Sequence, residues 1–123
     1  MTGLLIESAV TLMWCVPIIR FRGLPAMFSK LERVETTKRM QSLPIDTICH
    51  AVASAAIVLP LQLSSSERAA ALTVLLRRHG WNARFVLGAQ VLPPELYAWV
   101  EIEKRVIGDS PDLRDIYQVL VHS

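Results

Sequence analysis

The sequence predicts an α+β domain in which helices come first and a small antiparallel sheet comes last. Three observations predict it. Apolar residues recur at helical spacing as far as Gly80. Beyond Gly80 they alternate with their neighbours, the period of a half-buried strand. The strand-like runs then follow one another with only turn segments between them, which favours antiparallel pairing over a βαβ arrangement. A chain of 123 residues is the size of one domain with one core. Residues 1–43 read as a helical N-terminal part and 44–123 as the main body.

The first element is apolar over residues 3–19, interrupted by Glu7 and expected to close at Pro17. Its unbroken apolar stretch falls short of the roughly 20 residues that span a bilayer. A signal peptide carries positive charge ahead of its apolar core, and here Arg20 and Arg22 follow it. A buried or partner-facing helix is the first reading, and contact with a membrane surface the second. Gly23-Leu24-Pro25 punctuates the chain, residues 26–34 suggest a short second helix, and 35–42 (ETTKRMQS) an exposed connection. Pro44 opens a third helix with Asp46 and Thr47 in its first turn, where acidic and capping residues are favoured. That helix is expected to stop at Pro60.

Ser64-Ser65-Ser66-Glu67 is a capping signature, with Glu67 three residues after Ser64. The helix it starts, over 66–79, places Ala69, Leu72, Leu75 and Leu76 on one face. Arg77 and Arg78 lie near its C-terminal carbonyls, and Gly80 supplies a left-handed cap. Residues 83–88 alternate as a first strand, which Pro93-Pro94 separates from a second over 96–103. Lys104-Arg105 is expected to turn tightly into a third strand at 106–108. Asp109-Ser110-Pro111-Asp112 turns the chain again before 113–121.

Hydrophobic residues make up 52% of the chain and mean hydropathy is +0.37, so part of the apolar excess is available to a partner or a membrane. The net charge is only +2 and the basic residues are dispersed, without the clustered basic face that nucleic acid requires. Cys15 and Cys49 sit in apolar helical contexts and read as reduced thiols of a cytoplasmic protein. No Cys–His spacing suits zinc, and neither a metal nor another cofactor is expected.

The second half carries more specific motifs. Ser65-Ser66-Glu67-Arg68, then Leu75-Leu76-Arg77-Arg78-His79-Gly80, then Tyr97-Ala98-Trp99-Val100-Glu101 with Asp109 beyond it, resembles the transglutaminase-like leader peptidases of lasso-peptide biosynthesis, the microcin-processing type. In that family the first motif opens with cysteine and the third with histidine, and an aspartate after the next turn completes a triad. The resemblance implies a transglutaminase/papain-like core over 44–123. It implies triad positions at Ser65, Tyr97 and Asp109, with Arg68, Trp99 and Glu101 as further motif residues. It also implies three partners: a precursor with its leader peptide, a small leader-recognition protein, and an ATP-dependent macrolactam synthetase.

The chemistry of such a site explains its residue types. A nucleophile at a helix N-terminus feels the macrodipole and free amides, which lower a thiol pKa and can hold an oxyanion. Histidine takes the proton and an acid orients the histidine. A serine needs a base more than a cysteine does, and tyrosine, with an ordinary pKa of about 10, supplies none near neutral pH. His79 lies at the far end of the Ser65 helix, roughly 20 Å away. His50 could approach only if its helix folds back suitably, and the place of His122 is not legible. Cys49 and His50, as helix neighbours, point apart and make a poor dyad. Plainer roles also fit: Ser64 and Ser65 as caps, Tyr97 and Trp99 as strand aromatics, Asp109 as a turn residue. The expectation is therefore a catalytically impaired homologue retained for peptide or partner binding. The alternatives are a hydrolase or acyltransferase using Ser65 with another base, and an interaction module outside peptide maturation.

Overall fold

A computed structural model of the chain describes residues 2–23, 29–31, 44–58, 64–91 and 93–122. Its elements are α1 (Thr2–Arg22), α2 (Ile45–Val58), α3 (Ser65–Arg78), β1 (Arg84–Gln90), β2 (Glu95–Ile102), β3 (Arg105–Ile107), α4 (Leu113–Ile116) and β4 (Gln118–His122). The expected order of helices and then an antiparallel sheet is what the chain adopts. Of the short helix expected at 26–34, residues 29–31 are helical and the rest lies outside the described residues, as do the connection at 35–42 and Pro60.

Two boundaries differ for physical reasons. First, α1 does not close at Pro17 but continues to Arg22. A proline inside a helix costs about 3 kcal/mol, and α1 offsets it by burying Leu4, Leu12 and Cys15 against the core. The buried hydroxyl of Ser8 on the same face donates to the Leu4 carbonyl at 2.8 Å, so its burial leaves no orphan group. The outer face of α1 stays apolar and exposed at Ile6, Val10 and Met13. Among the described residues, no helix is long and apolar enough to cross a membrane.

Second, the β2–β3 hairpin turns at Glu103-Lys104, one residue earlier than expected. Both residues take positive φ, +52° and +66°. A two-residue hairpin loop needs that twist at both positions, and the closing pair is then Ile102 with Arg105. Residues 113–121, assigned no element from sequence, split into α4 and β4.

The central helix is α3. The capping box at its start is complete: Ser64 Oγ accepts from the Glu67 amide at 3.2 Å, and the Ser64 amide donates to Glu67 Oε1 at 2.9 Å. Its residues from Ala69 to Leu76 are all buried. Arg77 is buried, donating to the Ala83 carbonyl at 2.8 Å and the Leu31 carbonyl at 2.6 Å. Burial, with Arg84 nearby, lowers its pKa.

The sheet runs in the order β3-β2-β1-β4, all neighbours antiparallel. Alternation gives it two faces. Phe85, Leu87, Ala98, Val100 and Ile102 join the helices in the main core. Val86, Trp99 and Leu113 form a smaller outer cluster, with Tyr97 and Tyr117 packed against it. Gly88 exists to admit the indole: a Cβ there would lie 2.6 Å from Trp99 Cη2 and 2.8 Å from Tyr117 Cβ. The pairing of β1 with β4 also shifts register between Leu87 and Gly88. Gly88→Ala is therefore expected to lower stability by about 1–3 kcal/mol through overpacking. Equilibrium urea unfolding would show this as a lower midpoint with an unchanged slope.

Candidate functional site

The N-terminus of α3 abuts β2 where β3 has already ended. Ser65 is the first residue of the helix, directly after the Ser64 cap. Its Oγ accepts from the Ala98 amide at 3.1 Å. Ser65 and Tyr97 are thus brought together through the strand backbone, and their side chains share no hydrogen bond. Strand alternation explains why. Ala98 faces the helices, so Tyr97 beside it projects towards the outer face, where its ring stacks on Tyr117 at 5.5 Å between centroids.

Tyr97 and Asp109 do meet directly. The Tyr97 hydroxyl donates to Asp109 Oδ2 at 2.7 Å, and the Ser110 amide donates to Asp109 Oδ1 at 2.7 Å. Gly108, with φ +72°, makes the turn that delivers Asp109 to this position. A Cβ there would meet Cys49 Sγ at 3.4 Å, an ordinary contact, so it is the positive φ and not space that calls for glycine. Asp109 pushes the Tyr97 phenol above its ordinary value, first through the hydrogen bond to its carboxylate, with burial and the Asp109 charge adding to it. Arg68, one turn into α3, approaches the same hydroxyl and opposes the shift. The net direction is up, so Tyr97 is a neutral hydrogen-bond donor throughout the physiological range.

Trp99 and Glu101 stand apart from this group and do structural work. Trp99 Nε1 donates to Glu101 Oε2 at 2.7 Å, and Arg114 clamps both carboxylate oxygens at 2.7 and 2.6 Å. Glu101 is buried, and the Arg114 guanidinium holds its carboxyl below the usual range against the cost of burial. This pairing ties α4 to β2 and roofs the outer cluster.

A cavity of about 90 Å³ opens beside Ser65, walled by Val52, Ala69 and Leu72, with Cys49, Arg68 and Asp109 also lining it. None of the three histidines of the chain lines it. His79 caps α3 and pairs with Glu7 at 3.3 Å. His122 pairs with Val86 in the sheet, and His50 is exposed on α2. Cys15 and Cys49 are free thiols. Burial, followed by the Asp46 charge, pushes Cys49 up to about 11, so it stays protonated and unreactive near neutral pH. The participants not evident from sequence are Ala98, which acts through its amide, Gly108 and Tyr117. Only the glycine directly before Asp109 offered a local signal.

Removing the Asp109 charge should let the Tyr97 phenol ionise at lower pH. In Asp109→Ala, the Tyr97 titration is expected to shift down, towards the ordinary value of about 10. The chain has two tyrosines, and Tyr97→Phe assigns the signal in an ultraviolet or NMR titration. A Tyr97 midpoint unchanged by Asp109→Ala would contradict the coupling.

Comparisons with known proteins place the fold. No curated protein and no solved structure matches the chain significantly. The family model described as the transglutaminase-like superfamily matches residues 8–122, nearly the whole chain. Helices followed by a small four-stranded antiparallel sheet are consistent with that fold, and the chain belongs to the transglutaminase-like superfamily.

Proposed function

We propose that this protein takes part in lasso-peptide maturation as a homologue of the leader peptidase that binds peptide and does not cut it. One observation carries the proposal: the Tyr97 hydroxyl is spent as a donor to Asp109 in the position where a general base would stand. A base must be unprotonated to work, and Asp109 makes Tyr97 harder to deprotonate. Ser65 in turn accepts from the Ala98 amide. It keeps a proton to lose, but no group lining its cavity is suited to take it: the Asp109 carboxylate is engaged and the Cys49 thiol is protonated.

The motif correspondence at residues 65–68, 75–80 and 97–101 supports the lasso-peptide assignment within the superfamily. On that basis the partners are the precursor and its leader, a small leader-recognition protein and an ATP-dependent macrolactam synthetase. The protein would act beside them in the cytoplasm.

The purified protein is expected not to cleave a cognate precursor, even with the leader-recognition protein present. Ser65→Ala should leave any maturation phenotype intact. Specific cleavage that Ser65→Ala abolishes would establish instead the hydrolase that uses Ser65.

Restoration is a separate test. Ser65→Cys combined with Tyr97→His should rebuild a working triad with Asp109. The cysteine would stand at a helix N-terminus that favours its thiolate, and Asp109 would fix the imidazole tautomer. Neither change alone should suffice, because the two residues act as a unit. The readout is precursor cleavage blocked by iodoacetamide. A double variant with an ordinary thiol reactivity and no cleavage would mean that the catalytic frame has been lost.

A further inference from the structure

A second cavity, of about 460 Å³, lies on the outer face of the sheet, across the strands from the helices. It is framed by β1, the β2–β3 turn, α4 and β4. Val86 and Val119 give it an apolar lining, and Arg84, Lys104, Arg114 and His122 bring basic groups to it. With His122 counted as neutral, Arg84, Lys104 and Arg114 stand against Glu101 and Glu103, so one positive charge is in excess.

Arg84 and Lys104 carry that excess. In the ladder Arg84 stands opposite Glu101, but the Glu101 carboxylate is already committed. One of its oxygens accepts from the Trp99 indole and Arg114 Nε, and the other from Arg114 Nη2. Among the described residues, the side chains of Arg84 and Lys104 make no hydrogen bond or ion pair, with Glu103 or any other group. Arg84 also lies close enough to the buried Arg77 to lower its pKa, so no anion screens it on that side. The turn adds a second sign. Lys104 holds φ +66°, the left-handed region in which a two-residue hairpin loop favours glycine. Strand pairing alone would be better served by glycine, and an outlier of this kind points to a use for the side chain.

We propose that this cavity binds a carboxylate that carries a short apolar body. The guanidinium of Arg84 takes the carboxylate on two parallel N–H groups, a planar match that favours it over other anions. Lys104 closes on it from the turn, and the apolar body lies on Val119 and Val86. A single excess charge suits a monoanion better than a phosphate dianion. The volume is about fifteen times a water's share of the liquid, room for about ten non-hydrogen atoms. Two sources supply that chemistry, a free short-chain acid and the C-terminal carboxylate of a peptide. The cavity is separate from the one beside Ser65, and the inference does not rest on the maturation role.

Heptanoate is the first probe, followed by amide NMR shifts on the whole protein. It is expected to shift the Val86 and Val119 amides saturably. Heptanamide keeps the size without the charge, and acetate keeps the charge without the body. Each should bind at least tenfold more weakly, and so should inorganic phosphate. Arg84→Gln, at an exposed position, should cost at least tenfold in heptanoate affinity with little change in thermal midpoint. Lys104→Gly should weaken heptanoate at least threefold while raising the thermal midpoint, because glycine relieves the positive φ. N-acetyl-leucyl-alanine with a free C-terminus forms the second arm, and its amidated form is the control. Tighter binding of the free dipeptide than of heptanoate assigns the site to peptide ends, and the reverse order assigns it to small acids. Either order upholds the site. Equal binding of heptanoate and heptanamide, or of heptanoate and phosphate, would overturn it. Full heptanoate affinity in Arg84→Gln would do the same.

Discussion

Burial of α3 is the constraint on which the remaining structure depends. From Ala69 to Leu76 the helix is enclosed on every side, with α1 and α2 packed on it and the sheet beneath. Small residues at 69–71 let neighbours approach closely, and leucines at 72, 75 and 76 fill the space between layers. A helix so enclosed cannot slide, and the capping box fixes where it begins. Ser65 is placed at the edge of β2 as a consequence. A chain of this size has little core to spare, so the position of Ser65 is a property of the fold and not of a loop.

The outer face of the sheet complements that arrangement. Trp99 needs a hydrogen-bond partner when buried and finds Glu101, whose charge is in turn satisfied by Arg114. Gly88 removes the side chain that would collide with the indole, and Tyr117 covers it. Tyr97 then lies on Tyr117 with only its hydroxyl directed to Asp109. The residues that would reset the chemistry of the site are thus few, while those that hold its frame are many and packed.

The same frame has an open side. Gly108 delivers Asp109 by turning out of the ladder, and ahead of Val100 no described strand pairs with β2 on that side. The apolar outer stripe of α1, by contrast, has no polar complement that would specify what covers it.

Local patterning determined a good deal of this protein. The period change at Gly80, the capping box at Ser64 to Glu67 and the alternation of β1 and β2 specify their elements directly, because each signal depends on neighbours a few residues away. Motif order placed Ser65, Tyr97 and Asp109 in the right elements for the same reason. Only tertiary structure decided the rest. Helical propensity stopped α1 at Pro17, and packing carried it on to Arg22. Charge pattern put Arg77 at the end of its helix, and burial turned it to the Ala83 and Leu31 carbonyls. No local signal made β4 a strand, since it is formed by pairing with β1 more than twenty-five residues before it. Nor could sequence show that Ser65 would bond to the Ala98 amide while Tyr97 bonded to Asp109, because those partners meet only when the helix end, the strand edge and the Gly108 turn are packed together.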